Sequence, residues 1–232
     1  MTPAASVCAI LERQQSANFC SLPSAEFSRK VDLFPKRAII RLTRVTEGDV
    51  TLGSGAYKTT KLGIRINTET AETIPVALAV IKKENHKPFS EEELNSIFKQ
   101  AEKYHEICER LPGIAVRLHE VYLSAEKPKI TFVEELGRQN LEISDLVSKP
   151  NSVKEFLAKQ MIHVVNALHD NRVWHRDLKP NNFLFMLDST VKVIDFDCAS
   201  LTQKSSRTFC GTLYFMAPEL YATSLSDAKT IS

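Results

Sequence analysis

The chain has 232 residues, 43% of them hydrophobic and 25% charged, with 30 Lys plus Arg against 28 Asp plus Glu. That composition excludes fibrous and wholly disordered classes, and a formal charge of +2 gives no electrostatic case for nucleic acid or an anionic membrane as partner. The longest uncharged apolar run, residues 74–81, falls far short of the ~20 residues that cross a bilayer. A short apolar patch at residues 7–11 has no basic residue before it, so no signal peptide is expected. The five cysteines, Cys8, Cys20, Cys108, Cys198 and Cys210, form no C-x-x-C pair and no zinc spacing. Their odd number and irregular spacing predict reduced thiols and a cytoplasmic location.

Residues 1–38 begin rich in Ser, Ala, Gln and Pro without sustained periodicity and predict a flexible tail. Short strand-like segments follow near Val45, over 58–66 and over 75–82. Ser90 with Glu93 three residues on is a capping box, and Leu94, Ile97, Phe98, Ala101, Tyr104, Cys108 and Leu111 continue at helical spacing. Pro112 and Gly113 stop that helix, and strands are predicted over 115–123 and 130–135. A second helix is predicted with Ser152 as cap, Glu155 as its box partner, and a stripe of Val153, Phe156, Leu157, Met161, Val164 and Leu168. Two short strands, 183–185 and 191–194, flank a turn at Asp188-Ser189-Thr190.

The densest chemistry is His175-Arg176-Asp177-Leu178-Lys179-Pro180-Asn181-Asn182. It places a carboxylate, an ammonium and an amide on one loop. Phosphoryl transfer uses that set to position a hydroxyl, to offset charge on the moving group, and to hold magnesium. Thirteen residues beyond Asn182, Asp195-Phe196-Asp197 follows a strand, where Asp195 is placed to be a second metal ligand.

These two segments resemble the catalytic loop and the metal-binding motif of eukaryotic-type protein kinases, and Lys179 matches the Ser/Thr branch. Three further matches lie in the same order: Leu52-Gly53-Ser54-Gly55-Ala56-Tyr57 to the glycine-rich loop, Ala79-Val80-Ile81-Lys82 to the third-strand lysine motif, and residues 211–219 to the end of the activation segment. The resemblance implies an α+β, two-lobe protein-kinase-like fold. Its N-lobe (39–136) would be an antiparallel sheet plus one helix, and its C-lobe (137–232) a truncated, mainly helical lobe, with ATP and Mg²⁺ between them. It implies Ser/Thr phosphorylation of a protein substrate. The alternative is a pseudokinase or ATP-binding scaffold, inactivated by the missing lower lobe.

By the same resemblance, Asp177 would orient the substrate hydroxyl or accept its proton, and Lys179 would stabilise the transferred group. Thr212 would steady both, and Asn182 and Asp195 would hold magnesium. Gly53, Ser54 and Gly55 would approach the phosphates. Lys82 would pair with them, Lys83 being the alternative. Glu102 would be the helix partner of Lys82 by family spacing, although periodicity places Glu93 nearer the apolar stripe. Val80 and Thr60 would lie above the adenine and Leu184 below it. The Glu134 carbonyl and the Leu136 N–H would bond its edge, with Val133 as gatekeeper. Thr208 would be an activation-loop phosphosite met by Arg176.

The chain departs from the pattern at several places. Lys58 stands at the third glycine, either as an added phosphate cation or as a solvated lysine. Val80 replaces the usual alanine. Asp197 replaces a glycine, as a further metal ligand or as a solvated neighbour. The sequence stops shortly after Ser226-Asp227, which leaves room for an activating partner at the truncated lobe.

Overall fold

The β-branched and alternating residues that follow the N-terminal segment build three antiparallel strands, β1 (Thr43–Ser54), β2 (Lys58–Asn67) and β3 (Thr73–Lys82). The computed structural model describes residues 43–54, 58–67, 70–83, 87–123, 129–202 and 210–218. The expected tail, Gly55, Thr208 and residues 219–232 lie outside the described residues. Strands β4 (Leu118–Leu123) and β5 (Lys129–Glu135) complete a five-stranded sheet in the order β1-β2-β3-β5-β4, antiparallel throughout.

Between β3 and β4 runs helix α1 (Glu91–Arg110). Its start is the predicted capping box: the Ser90 N–H donates to Glu93 Oε2 at 2.6 Å and the Glu93 N–H to Ser90 Oγ at 3.2 Å. Ala101, Tyr104 and Ile107 form its buried face, and both Tyr104 Oη and Cys108 Sγ donate to the Val116 carbonyl, at 2.9 and 3.3 Å.

Because side chains alternate across a strand, the described residues of the sheet form apolar clusters on both of its faces. Val76, Leu78 and Val80 of β3 pack with Tyr122 and Val133. Ala77 packs with Leu62 and Leu136, and Val50 and Leu52 join them. On the first of these faces Glu120, 5% exposed, accepts from Arg65 Nε and Nη2 at 3.2 and 3.0 Å and from the Tyr122 hydroxyl. A carboxylate this deep stays charged only with such partners.

Contacts divide the chain into two units. One gathers Met1–Cys108 with Val116–Arg138, and the other Glu109–Ala115 with Gln139–Ser232. In the second unit, β6 (Gln139–Asn140), β7 (Phe183–Phe185) and β8 (Val191–Val193) form a three-stranded sheet. Helices α2 (Ile143–Val147) and α3 (Asn151–Asp170) lie between β6 and β7 in sequence. The β7–β8 turn is built as expected, with Asp188 Oδ1 accepting from the Thr190 N–H and hydroxyl at 3.0 and 2.6 Å.

Two expectations for α3 are corrected. Pro150 occupies the cap position without a side-chain bond, and Ser152 lies inside the helix. Proline sets the extended conformation a cap needs, so no hydroxyl is required there. Glu155 instead pairs with Lys159 one turn on, at 2.7 Å. Of the predicted stripe, Leu157, Val164 and Leu168 are buried, while Val153 and Phe156 are 37% and 46% exposed. The buried set is the narrower one, facing a small sheet.

Candidate active site

The loop between α3 and β7 is fixed from below by His175, which is 1% exposed. Its Nε2 lies 2.8 Å from the Ile194 carbonyl, and its Nδ1 accepts the Asp177 N–H at 3.3 Å. One nitrogen therefore donates and the other accepts, which is the neutral imidazole. Burial, the dominant influence, pushes its pKa down in keeping with that state. The Phe196 ring packs 5.2 Å from the imidazole centroid. His175 thus joins the Asp177 loop to the Ile194-Asp195-Phe196 segment. The sequence signal for this was its place at the head of the loop motif, but nothing local disclosed its partner nineteen residues away.

Asp177 is held on several sides. Its Oδ2 accepts from Lys179 Nζ at 2.8 Å and from Asn182 Nδ2 at 3.2 Å. Its Oδ1 accepts the Thr212 N–H at 2.8 Å. Lys179 Nζ also donates to Thr212 Oγ1 at 2.8 Å, and Asn182 Nδ2 to the Asp177 carbonyl at 2.8 Å. Burial alone would raise the Asp177 pKa, but the bonds from Lys179 and Thr212 outweigh it and hold the carboxyl below its ordinary range. The structure therefore brings Asp177, Lys179, Asn182 and Thr212 into one network.

Asn182 is 4% exposed, and its backbone carbonyl accepts the Ile194 N–H at 2.9 Å. That bond draws the loop beside Asp195, which follows β8. Asp195 has a left-handed backbone (φ 66°, ψ 64°), and Arg176 is left-handed too, at φ 68°. Non-glycine residues held so carry strain, which the surrounding bonds maintain. Asp197 lies in the short 3-10 turn Phe196–Cys198 directly after. Gly211, at φ 121°, lets the segment carrying Thr212 approach closely: a Cβ there would stand 2.6 Å from the Arg176 carbonyl oxygen.

The expectation of reduced thiols is corrected for one pair. Cys198 and Cys210 form a disulfide with Cα atoms 5.9 Å apart. Their twelve-residue separation was the only sequence trace of it, and pairing depends on the chain returning to the same place.

In the first unit the outcomes differ. Ser54, exposed, has Oγ 3.4 Å from Thr59 Oγ1, and a Cβ at Gly53 would meet nothing within 4 Å. Leu136 is buried with Leu52 and Ala77, whereas Val80 and Val133 belong to the other apolar cluster. Val80 and Thr60, expected together above the adenine, fall on opposite faces of the sheet, because Thr60 stands opposite Ala79 and Val80 opposite Thr59. Glu134 stands opposite Ala77 in the β3–β5 pairing, and Leu184 is half-buried in β7 of the other unit.

Glu102 is exposed on α1, off the Ala101–Tyr104–Ile107 face. Among the described residues, an ion pair joins Lys83 Nζ, just beyond β3, to Glu93 Oε2 of α1 at 2.6 Å, with Lys83 also donating to the Pro88 carbonyl at 3.2 Å. The Lys83 bond, followed by the Ser90 amide, lowers the Glu93 pKa.

A family comparison matches the protein kinase domain over residues 47–230. The chain is 35% identical over 194 residues to CBL-interacting serine/threonine-protein kinase 26 of Arabidopsis thaliana, covering 78% of this chain and 40% of that protein. It is 32% identical to CBL-interacting protein kinase 24 of Oryza sativa subsp. japonica, covering 77% and 38% respectively. It is 30% identical to the probable serine/threonine-protein kinase MARK-C of Dictyostelium discoideum, covering 84% and 25%. The chain thus spans two fifths or less of the length of these relatives. Among the described residues, no helix is long and apolar enough to cross a membrane. With the family match running from β1 through the Asp177 network to the segment beyond Thr212, the chain belongs to the protein kinase family, in its eukaryotic-type Ser/Thr branch.

Proposed function

We propose that this chain transfers the γ-phosphoryl group of ATP to Ser or Thr hydroxyls of protein substrates. The observation that carries the reading is the network in which Lys179, Asn182 and Thr212 all bond Asp177. An ionised carboxylate held by three donors can receive a substrate hydroxyl and orient it. Its lowered pKa makes positioning, rather than strong basicity, its main contribution. Lys179 already bridges Asp177 and Thr212, so its ammonium sits beside the point where the hydroxyl would attack.

The residues present suit magnesium and ATP. The Asn182 amide nitrogen is committed to Asp177, which leaves its oxygen as the ligand end, and Asp195 adds a carboxylate at the close of β8. One carboxylate and one amide oxygen fit an ion that draws its other ligands from phosphates and water. Open space above Gly53 allows a phosphate to approach the backbone. When bound, magnesium-ATP supplies the transferable group and the charge that its cations must offset. The aliphatic surface of Leu52, Ala77 and Leu136 suits a flat base.

The test is phosphate incorporation into a generic Ser/Thr protein substrate, using radiolabelled ATP. Asp177→Ala should lose at least ~100-fold in rate while keeping most nucleotide affinity. Equal incorporation by Asp177→Ala and wild type would refute the reading. Wild-type protein that binds nucleotide but transfers nothing would point to the scaffold alternative.

A further inference from the structure

The strand that should carry the phosphate-anchoring lysine has no lysine at a register position belonging to the relevant face. Leu52 of β1, which opens the segment resembling the glycine-rich loop, identifies that face, because it packs with Leu62, Ala77 and Leu136. In the antiparallel β2–β3 register, Leu62 opposes Ala77, Thr60 opposes Ala79 and Lys58 opposes Ile81. Side chains directly opposite share a face, and the face recurs every second residue. The β3 positions on this face are therefore 75, 77, 79 and 81, occupied by Pro, Ala, Ala and Ile. Position 82 falls in the alternate set with 76, 78 and 80, whose members Val76, Leu78 and Val80 pack with Tyr122 and Val133.

The kinase strand motif has the form V-A-I-K, with alanine and lysine two residues apart and so on one face. Val76-Ala77-Leu78 fits its first three places with Ala77 beside Leu52, and Ala79 then stands where the lysine belongs. Lys83, beyond the strand, is tied to Glu93 and the Pro88 carbonyl.

We propose that Lys58 of β2 supplies the cation that anchors the nucleotide phosphates, replacing the lysine absent from position 79. Of the lysines in β2 and β3, namely Lys58, Lys61 and Lys82, only Lys58 falls in the set that contains Thr60 and Leu62. It is the first residue of β2, at the end of the strand next to the segment that resembles the glycine-rich loop, where the phosphates would lie. It is also the diagonal neighbour of Ala79, since its direct partner Ile81 is two residues further on. Diagonal neighbours stand ~7–8 Å apart, a span that long side chains cover. An ammonium from position 58 thus reaches the region that one from position 79 would serve.

The proposal rests on the kinase reading above, and its test separates the two. Binding of magnesium-ATP and of adenosine is measured by calorimetry on the full chain. Lys58→Met should weaken magnesium-ATP binding by roughly tenfold or more and leave adenosine binding within about twofold, since adenosine lacks the phosphates. Lys82→Met should change neither by more than about twofold. Adding Ala79→Lys to Lys58→Met should restore most of the lost affinity, because it returns a cation to the same face. Loss of ATP affinity in Lys82→Met but not in Lys58→Met would overturn the assignment, and so would equal loss of adenosine and ATP binding in Lys58→Met. Wild-type protein that binds neither ligand would overturn the kinase reading itself.

Discussion

Replacing Gly211 with alanine tests whether the Asp177 network depends on the close approach of the segment that carries Thr212. The new Cβ would lie 2.6 Å from the Arg176 carbonyl oxygen and 3.3 Å from Met216 Cε. The methionine end can swing away, but the backbone oxygen cannot. An ordinary contact begins at 3.4 Å, so most of an ångström must open between the two segments. The φ of 121° adds strain of its own for any residue with a Cβ, of order 1–3 kcal/mol. The displacement falls on the next residue, whose N–H reaches Asp177 Oδ1 at 2.8 Å. Hydrogen bonds weaken steeply beyond about 3.2 Å, so this one is lost. A bond to a charged group contributes ~1.5–3 kcal/mol, which corresponds to a fall of about 10- to 150-fold in kcat. Stopped-flow phosphorylation under saturating ATP would read the rate, and urea unfolding would read the strain. Gly113→Ala is the control: φ is 81°, nothing lies within 4 Å of its Cβ, and it should cost stability without lowering kcat. A Gly211→Ala protein with wild-type kcat and an unchanged urea midpoint would refute the reasoning.

Two further outcomes follow from the first unit. Arg65→Ala strips Glu120, 4% exposed in its side chain, of its cation and should cost about 3 kcal/mol in urea unfolding, at the lower end for a broken buried pair because Arg65 is itself 26% exposed. Arg65→Ala and the combined Arg65→Ala, Glu120→Gln variant should differ measurably, since the second removes the stranded charge; identical midpoints would show that the pair is not coupled. His119 has its pKa lowered to about 4, first by burial and then by Arg65 and Arg117. The unfolded chain therefore takes up a proton near pH 6.5 that the folded chain refuses until about pH 4, and stability falls as pH drops through that window. The full effect would be about 3 kcal/mol, reduced by solvent screening to ~1–2 kcal/mol. His119→Gln should flatten this part of the urea midpoint–pH curve, and an unchanged slope would remove His119 as its cause.

What could be read from the sequence follows from how local each feature is. The Ser90–Glu93 box and the Asp188–Thr190 turn are closed by atoms two or three residues apart, so their spacing in sequence is already their geometry. The Asp177, Lys179 and Asn182 group is nearly as compact, and all three lie within six residues. Thr212 bonds the same carboxylate from thirty-five residues away, and only the resemblance to a family could bring it in. The Cys198–Cys210 bond and the His175–Ile194 contact had no such guide. The start of α3 lies two residues earlier than predicted because a Ser-x-x-Glu string looks the same whether or not a proline ahead of it already caps the helix.

The lysine motif shows a different kind of illegibility. Ala79-Val80-Ile81-Lys82 resembles V-A-I-K as a string, with its lysine correctly at the end. A string does not record which side of the sheet each letter occupies. The structural match, Val76-Ala77-Leu78, begins three residues earlier, and an odd offset exchanges the two faces of a strand. The residues that would cover a nucleotide and those that fill the opposite cluster therefore trade places between the two alignments. Parity is settled only by a neighbour, and here Leu62 and Leu52 settle it by packing on Ala77. Once the face is fixed, the chemistry requires a cation at a point in space and not on a particular strand. Lys58 and Ala79 are diagonal neighbours on adjacent strands and on the same face, so the charge can move from one strand to the other while its target stays where it is.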